Sequence, residues 1–175
     1  DAAAAEAPGE LTTAQGLRLI DDLADFGIAA LLFSGGEPLL REDLFDLAAA
    51  AAARGIRTVL STNGTLIDAR AAGRIRGAGF TYVGVSLDGI GETNDFFRGE
   101  RGAFARTVGG FAALRAVGQK TGLRLTLARR TAGEIGGIFD FIEERGIDRA
   151  CFYHLVPVGR GRGEADLDPP AARAA

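Results

Sequence analysis

The sequence predicts an α/β protein, a parallel sheet built from five consecutive βα units. Three observations carry this. Amphipathic stretches alternate with short apolar runs along the 175 residues. A glycine follows most amphipathic stretches, as at Gly27, Gly55, Gly118 and Gly146, where a left-handed residue turns a helix back toward a sheet. The apolar runs are near-continuous rather than alternating, the pattern of strands covered on both faces.

The elements follow in order. Leu17, Ile20, Leu23 and Phe26 fall at near-helical spacing behind a Thr12 or Thr13 cap, and Gly27 ends that helix. "IAALLF" is the first strand. Pro38 to Arg54 reads as one helix, acidic at its start and basic at its end, the polarity that the helix dipole favours. "IRTVLS" is the second strand. Asp68 opens a third helix, "FTYVGVSL" is the third strand, and Ala103 to Val117 is helical. "LRLTLA" is the fourth strand, Glu134 to Arg145 a helix, and "ACFYHLVP" the fifth strand. Right-handed βαβ crossovers then give a parallel sheet. Residues 1–11 are expected to be disordered, 12–159 to form the core, and 160–175 to be a linker or disordered tail, since "GRGRGEADLDPPAARAA" loses all periodicity. A complete eight-fold barrel needs roughly 200 residues or more. A partial barrel and a doubly wound sheet both remain open at this stage.

Composition excludes some function classes. Net charge is −3, which provides no basic field for nucleic acid or anionic membrane. No apolar run approaches the roughly 20 residues that span a bilayer. The start, "DAAAAEAPGE", lacks the features of a signal peptide. One cysteine, Cys151, permits no internal disulfide and fits a reducing cytoplasm. There is no methionine, which suggests a piece of a longer chain.

The distinctive polar residues cluster after strands: "SGGEP", "STNG", "SLDG", "ARR" and "PVGRG". Carboxyl ends of parallel strands gather on one face, which holds ligands in barrels and open sheets alike. Gly35 and Gly36 permit close approach of a ligand and free amide donors. Glu37 can accept from an ammonium group, or Glu37 and Pro38 are ordinary first-turn residues. Asn63-Gly64 and Asp88-Gly89 are also common turn pairs. Ser86 and Asp88 suit ribose hydroxyls. Arg98 suits a carboxylate, or is a surface arginine. His154, inside an apolar run, is expected to be a satisfied core histidine, and Cys151 a buried thiol. "GRGRG" suits phosphate or propionate groups, or is a flexible tail.

The order and spacing of "LLFSGGEPLLRED", "STNGTLID", "SLDG" and "NDFFRGERGAF" resemble the radical S-adenosylmethionine (SAM) superfamily over about residues 12 to 163. The branch resembles the SPASM-type enzymes, and within it those of heme and heme d1 biosynthesis. The resemblance implies a (β/α) partial barrel of the radical SAM type, with five βα units present and the first strand missing. It places the amino group of SAM at Gly35, Gly36, Glu37 and Pro38, and lines the pocket with Asn63. It puts the ribose or carboxylate end near Ser86 and Asp88, matches Arg98 to the family arginine after "SLDG", and places the adenine beside the backbone of Leu155. The family pattern often has histidine where Asn94 stands, so Asn94 inherits no role. Catalytic residues stay unassigned.

The resemblance further implies a [4Fe-4S] cluster held by a C-x3-C-x2-C loop. Such a loop is absent from this chain, so no metal ligands are assigned within it and the chain alone is expected to be inactive. The implied reaction generates a 5′-deoxyadenosyl radical that abstracts hydrogen from a substrate, here a tetrapyrrole side chain, with an electron donor such as flavodoxin or ferredoxin. Rival readings are a SPASM-type peptide-modifying enzyme, a noncatalytic SAM-binding module, and a phosphate-binding α/β enzyme using "GRGRG".

Overall fold

A computed structural model describes residues 9–128 and 131–154. Five strands form one sheet: β1 (Ala30–Phe33), β2 (Arg57–Thr62), β3 (Phe80–Ser86), β4 (Thr121–Leu127) and β5 (Arg149–His154). All pairings are parallel, and the order is β1-β2-β3-β4-β5. Each crossover therefore advances one strand in the same direction. With a single crossover hand, every helix lands on the same side of the sheet. A doubly wound sheet reverses its order at a switch point; this one does not. The alternative left open by the sequence resolves to the partial barrel.

Helices α1 (Thr13–Phe26), α2 (Leu44–Ala53), α3 (Ala69–Gly77), α4 (Glu92–Arg98), α5 (Ala103–Ala116) and α6 (Ile135–Arg145) connect or flank the strands. Thr12 and Gln15 cap α1 reciprocally: Gln15 Oε1 accepts from the Thr12 amide at 2.9 Å, and Thr12 Oγ1 from the Gln15 amide at 3.3 Å. The expected single helix from Pro38 to Arg54 is instead a turn of 3₁₀ helix, Pro38–Leu40, followed by α2. The break falls at Arg41, whose backbone is extended. Its guanidinium is taken by Asp43, by Glu10 at 3.2 Å and by the Leu11 carbonyl at 2.9 Å. That pairing holds the Asp43 carboxyl below its ordinary range. Of the segment expected to be disordered, Glu10 and Leu11 are thus tied to Arg41. The short helix α4 was not visible in the sequence because Gly91 and Gly99 bracket only seven residues.

The main core lies between the sheet and α2 to α6. Leu60, Val83, Val85, Leu123 and Leu125 point from the strands to Ile75, Leu114 and Ile138. A second cluster, Ile20, Leu47, Ala51 and Ile56, joins α1 to α2. The opposite, concave face is not covered by helices. The expectation that both faces of the strands are covered is corrected there: Leu32 on β1 is 50% exposed. β5, which among the described residues pairs with β4 alone, is likewise exposed along Phe152, Tyr153 and His154. His154 is consequently not a core histidine, and Cys151 is half-buried.

Candidate functional site

The carboxyl ends of β1, β2 and β3 meet in a network of carboxylates and backbone amides. Glu37 is its first centre. The residue is 6% exposed. Oε1 accepts from the Leu39 amide at 3.1 Å and from the Thr62 hydroxyl at 2.7 Å. Oε2 accepts from the Asn63 amide at 2.8 Å. Glu37 therefore joins the turn after β1 to the end of β2, and Leu39 is reached because Pro38 fixes the first helical residue. Three of the roughly four acceptor positions of a carboxylate are in use. Asn63 in turn accepts from the Thr65 amide at 2.8 Å, and its carbonyl accepts from Thr107 Oγ1 on α5 at 3.0 Å.

Gly35 and Gly36 are both exposed, and a Cβ built on either meets no atom within 4 Å. Gly35 has φ +152°, a backbone that favours glycine. The two glycines thus present bare backbone to open space above the Glu37 staple.

Asp88 is the second centre. It is 8% exposed. Oδ1 accepts from the Thr126 amide of β4 at 2.9 Å, and Oδ2 accepts from Arg98 Nη2. Its own amide donates to Asn94 Oδ1 at 3.0 Å. Asp88 and Arg98, expected as separate ligand contacts, are joined as an ion pair that holds α4 over the end of β3. Two buried donors here have no protein partner, Arg98 Nε and Asn94 Nδ2. Buried donors of this kind are costly unless something accepts from them. Ser86, half-buried, ends β3 in register with Arg124 of β4. Leu155 and the "PVGRG" segment lie outside the described residues.

Several contributors were not singled out in the sequence. Glu134, at the start of α6, accepts from the Ile90 amide at 2.6 Å and the Thr93 hydroxyl at 2.5 Å, so it pins the loop after β3. Asp95 accepts from the amides of Gly102 at 2.5 Å and Phe104 at 2.7 Å. It caps α5, whose own N-cap, Gly102, has no side chain. Those bonds hold the Asp95 carboxyl below its ordinary value. Asn94, denied a role by its departure from the family pattern, is fully buried beneath Asp88. The one available signal was the unbroken polar string "ETND" before an aromatic pair.

The arrangement suits a polar molecule lying across three strand ends. Open glycine backbone stands at one end, and an arginine with an unspent buried donor at the other. These features fit SAM, which carries an amino group, a carboxylate and ribose hydroxyls. They do not fit an iron–sulfur cluster. Such a cluster needs three thiolates when SAM takes its remaining iron; the chain has one cysteine. No group of three or more metal-ligating His, Cys, Asp or Glu side chains exists among the described residues. No helix among them is long and apolar enough to cross a membrane.

Known proteins bear on these features. The radical SAM superfamily profile matches residues 3–142. An Fe-coproporphyrin III synthase of Methanosarcina barkeri is 53% identical over 89% of this chain and 39% of its own length. A pre-heme d1 synthase of Dinoroseobacter shibae is 42% identical over 95% of this chain and 41% of its own. The chain thus spans less than half the length of these relatives. In fold, it resembles anSMEcpe with bound AdoMet and Cp18Cys peptide (TM-score 0.77, 20% identity, 93% of this chain and 49% of that one). It also resembles the coproporphyrinogen III oxidase HemN from Escherichia coli (TM-score 0.66, 13% identity, 89% of this chain and 41% of that one). The family of those enzymes uses SAM and a [4Fe-4S] cluster, and on the extent of the sequence match this chain belongs to the radical SAM superfamily.

Proposed function

We propose that this chain is the SAM-holding part of an enzyme that modifies a tetrapyrrole side chain. The observation that carries the reading is the gradient among relatives. Named heme and heme d1 enzymes are 36% to 53% identical, whereas the mycofactocin maturase and PqqA peptide cyclase are 32% and 31% identical. Peptide modification is therefore the second reading.

In this proposal Gly35, Gly36 and the backbone before Pro38 receive the amino end of SAM. Glu37 shapes that turn through its three hydrogen bonds and adds its remaining acceptor capacity. Asn63 and Ser86 line the middle. Arg98, oriented by Asp88, uses its unspent donor on the ligand, and the backbone of Leu155 lies beside the adenine. Bound SAM supplies an adenosyl group that, after one-electron activation, abstracts hydrogen from the substrate. The chain's own part is to hold that group, orient it over the concave face and keep water away. The electron comes from a donor of the flavodoxin or ferredoxin class, in the cytoplasm.

The test uses the full-length protein that contains this chain. It is reconstituted anaerobically with iron and sulfide and supplied with dithionite, SAM and, in separate reactions, iron coproporphyrin III or an iron tetrapyrrole whose side chains still need modification to reach it, since the 53% identical relative is named for making iron coproporphyrin III. The expected result is SAM-dependent 5′-deoxyadenosine together with a mass change in the tetrapyrrole. Deoxyadenosine formation with the tetrapyrrole untouched, and a peptide altered in its place, would move the function to the second reading.

A further inference from the structure

The concave face of the sheet holds an arginine, Arg124, that the SAM site does not use; Arg149 of β5 shares that face, with its guanidinium 5.5 Å from the Tyr82 ring centroid. Arg124 lies in the middle of β4, in register with Ser86 on β3 and Cys151 on β5. Its stem crosses β3 over Gly84, where a Cβ would come within 2.8 Å of Arg124 Cδ. Its guanidinium donates to Ser61 Oγ on β2 and lies 5.1 Å from the Tyr153 ring centroid on β5. One side chain thus spans four strands of the sheet, and it can do so only because β3 carries no side chain beneath it.

A second glycine on this face, Gly122, is covered by an aromatic ring. A Cβ on Gly122 would fall 1.7 Å from the Tyr82 hydroxyl, so Tyr82 lies flat over it. That hydroxyl is buried and has no partner.

A guanidinium has five donors. Arg124 gives one to a neutral hydroxyl, and no carboxylate lies within ion-pair distance of it among the described residues. The arginines of the rim, by contrast, have acidic partners: Arg41 has Asp43, and Arg98 has Asp88. A half-buried arginine that lies against the Tyr153 ring and a serine, on the concave face left open by the helices, is positioned for an anion from outside the chain. A planar fork matches a carboxylate in particular.

We propose that Arg124, with Ser61 and Tyr153, forms a carboxylate subsite that takes a side-chain carboxylate of the substrate. This rests on the tetrapyrrole reading above and deepens it: the subsite selects the acid form of the macrocycle and sets which of its edges faces SAM. Arg124 is then a specificity-determining residue, distinct from the SAM contacts at the rim.

The experiment measures binding of coproporphyrin III, of its tetra-amide (the same macrocycle without carboxylates) and of SAM to the full-length protein. Wild type is compared with Arg124→Lys and Arg124→Met, and each variant's thermal midpoint is recorded. Wild type should prefer the acid over the amide by about tenfold or more, the size of one charge-assisted hydrogen bond. Arg124→Met should bring that preference close to one, and Arg124→Lys should leave an intermediate value, since a point charge replaces the fork. SAM affinity should stay within about twofold in both. If Arg124→Met does not fold, the lysine variant alone carries the comparison. An acid preference unchanged in the variants would overturn the proposal. So would a loss confined to SAM, which would make the carboxylate the cofactor's own. Wild type binding neither porphyrin would instead refute the tetrapyrrole reading, and this subsite with it.

Discussion

Glu37 shows how one side chain can satisfy a motif and a fold together. The pattern "GGEP" pointed to a carboxylate waiting for an ammonium group. In the structure that carboxylate is buried and accepts three hydrogen bonds within the chain. Its first duty is to fix the turn on which Gly35 and Gly36 stand. Hydrogen bonds to a charged acceptor contribute about 1.5–3 kcal/mol each when lost from a buried site. Glu37→Gln places an amide where two oxygens now accept, so it should lower unfolding stability by about 1–3 kcal/mol. Urea denaturation reads this as a lower midpoint at unchanged slope. A midpoint equal to that of wild type would mean that the carboxylate is not the staple. The sequence could not separate the two duties, because the partners Thr62 and Asn63 lie 25 and 26 residues away.

Helix α5 is where an element, rather than a residue, positions the site. It presses on the turn after β2: a Cβ on Gly110 would stand 2.6 Å from the Gly64 carbonyl oxygen and 3.3 Å from Ile67 Cβ. Gly110→Ala should therefore destabilise the protein, since overpacking costs about 1–3 kcal/mol against a gain of at most about 1 kcal/mol in helix propensity. Gly109→Ala, next to it but with no atom within 4 Å, should stabilise by up to about 1 kcal/mol. Thermal denaturation of the pair tests the contact directly; equal shifts of one sign would show that α5 does not bear on the turn.

The same helix is capped from a distance by Asp95. Its carboxyl is held below the ordinary 3.8 by the Phe104 and Gly102 amides. A depressed folded value means that the stabilisation is present above that pH and is lost as pH falls through the folded value. Wild type should therefore melt higher than Asp95→Asn at neutral pH, and the gap should close below pH 3.8. Asp43, lowered by Arg41, titrates in the same window, so the difference between the two proteins is the quantity to follow. A gap that does not change with pH would contradict the capping role. Helix α5 itself was legible from its apolar spacing, but its cap was not. Sequence signals for caps are local, and this one arrives from α4.

At the scale of the whole molecule, the five strands and the helices between them were readable because each strand is a compact apolar run ended by glycine or polar residues. The loss of periodicity at the second helix was not, because the break depends on where the side chain of Arg41 is anchored. The exposure of β5 and His154 was misread for a related reason. An apolar run looks the same in a central strand and in one with an open face. Strand order decided the architecture, and periodicity carries no information about order. In the site, the sequence located the strand-end turns correctly. It missed the pairing of Asp88 with Arg98, the supporting groups Asn94, Asp95 and Glu134, and the cation Arg124, which stands at an alternate position inside "LRLTL".

The most direct test of SAM binding at these strand ends uses Gly36. Its backbone is exposed and a Cβ there meets nothing within 4 Å, so Gly36→Val should fold normally while its side chain fills the space assigned to the ligand. Calorimetric titration of SAM into the full-length protein and this variant, with thermal midpoints measured on both, separates binding from folding. The expected result is an affinity weakened by about tenfold or more, or about 1.4 kcal/mol, at an unchanged midpoint. Equal affinity in the two proteins would place SAM elsewhere.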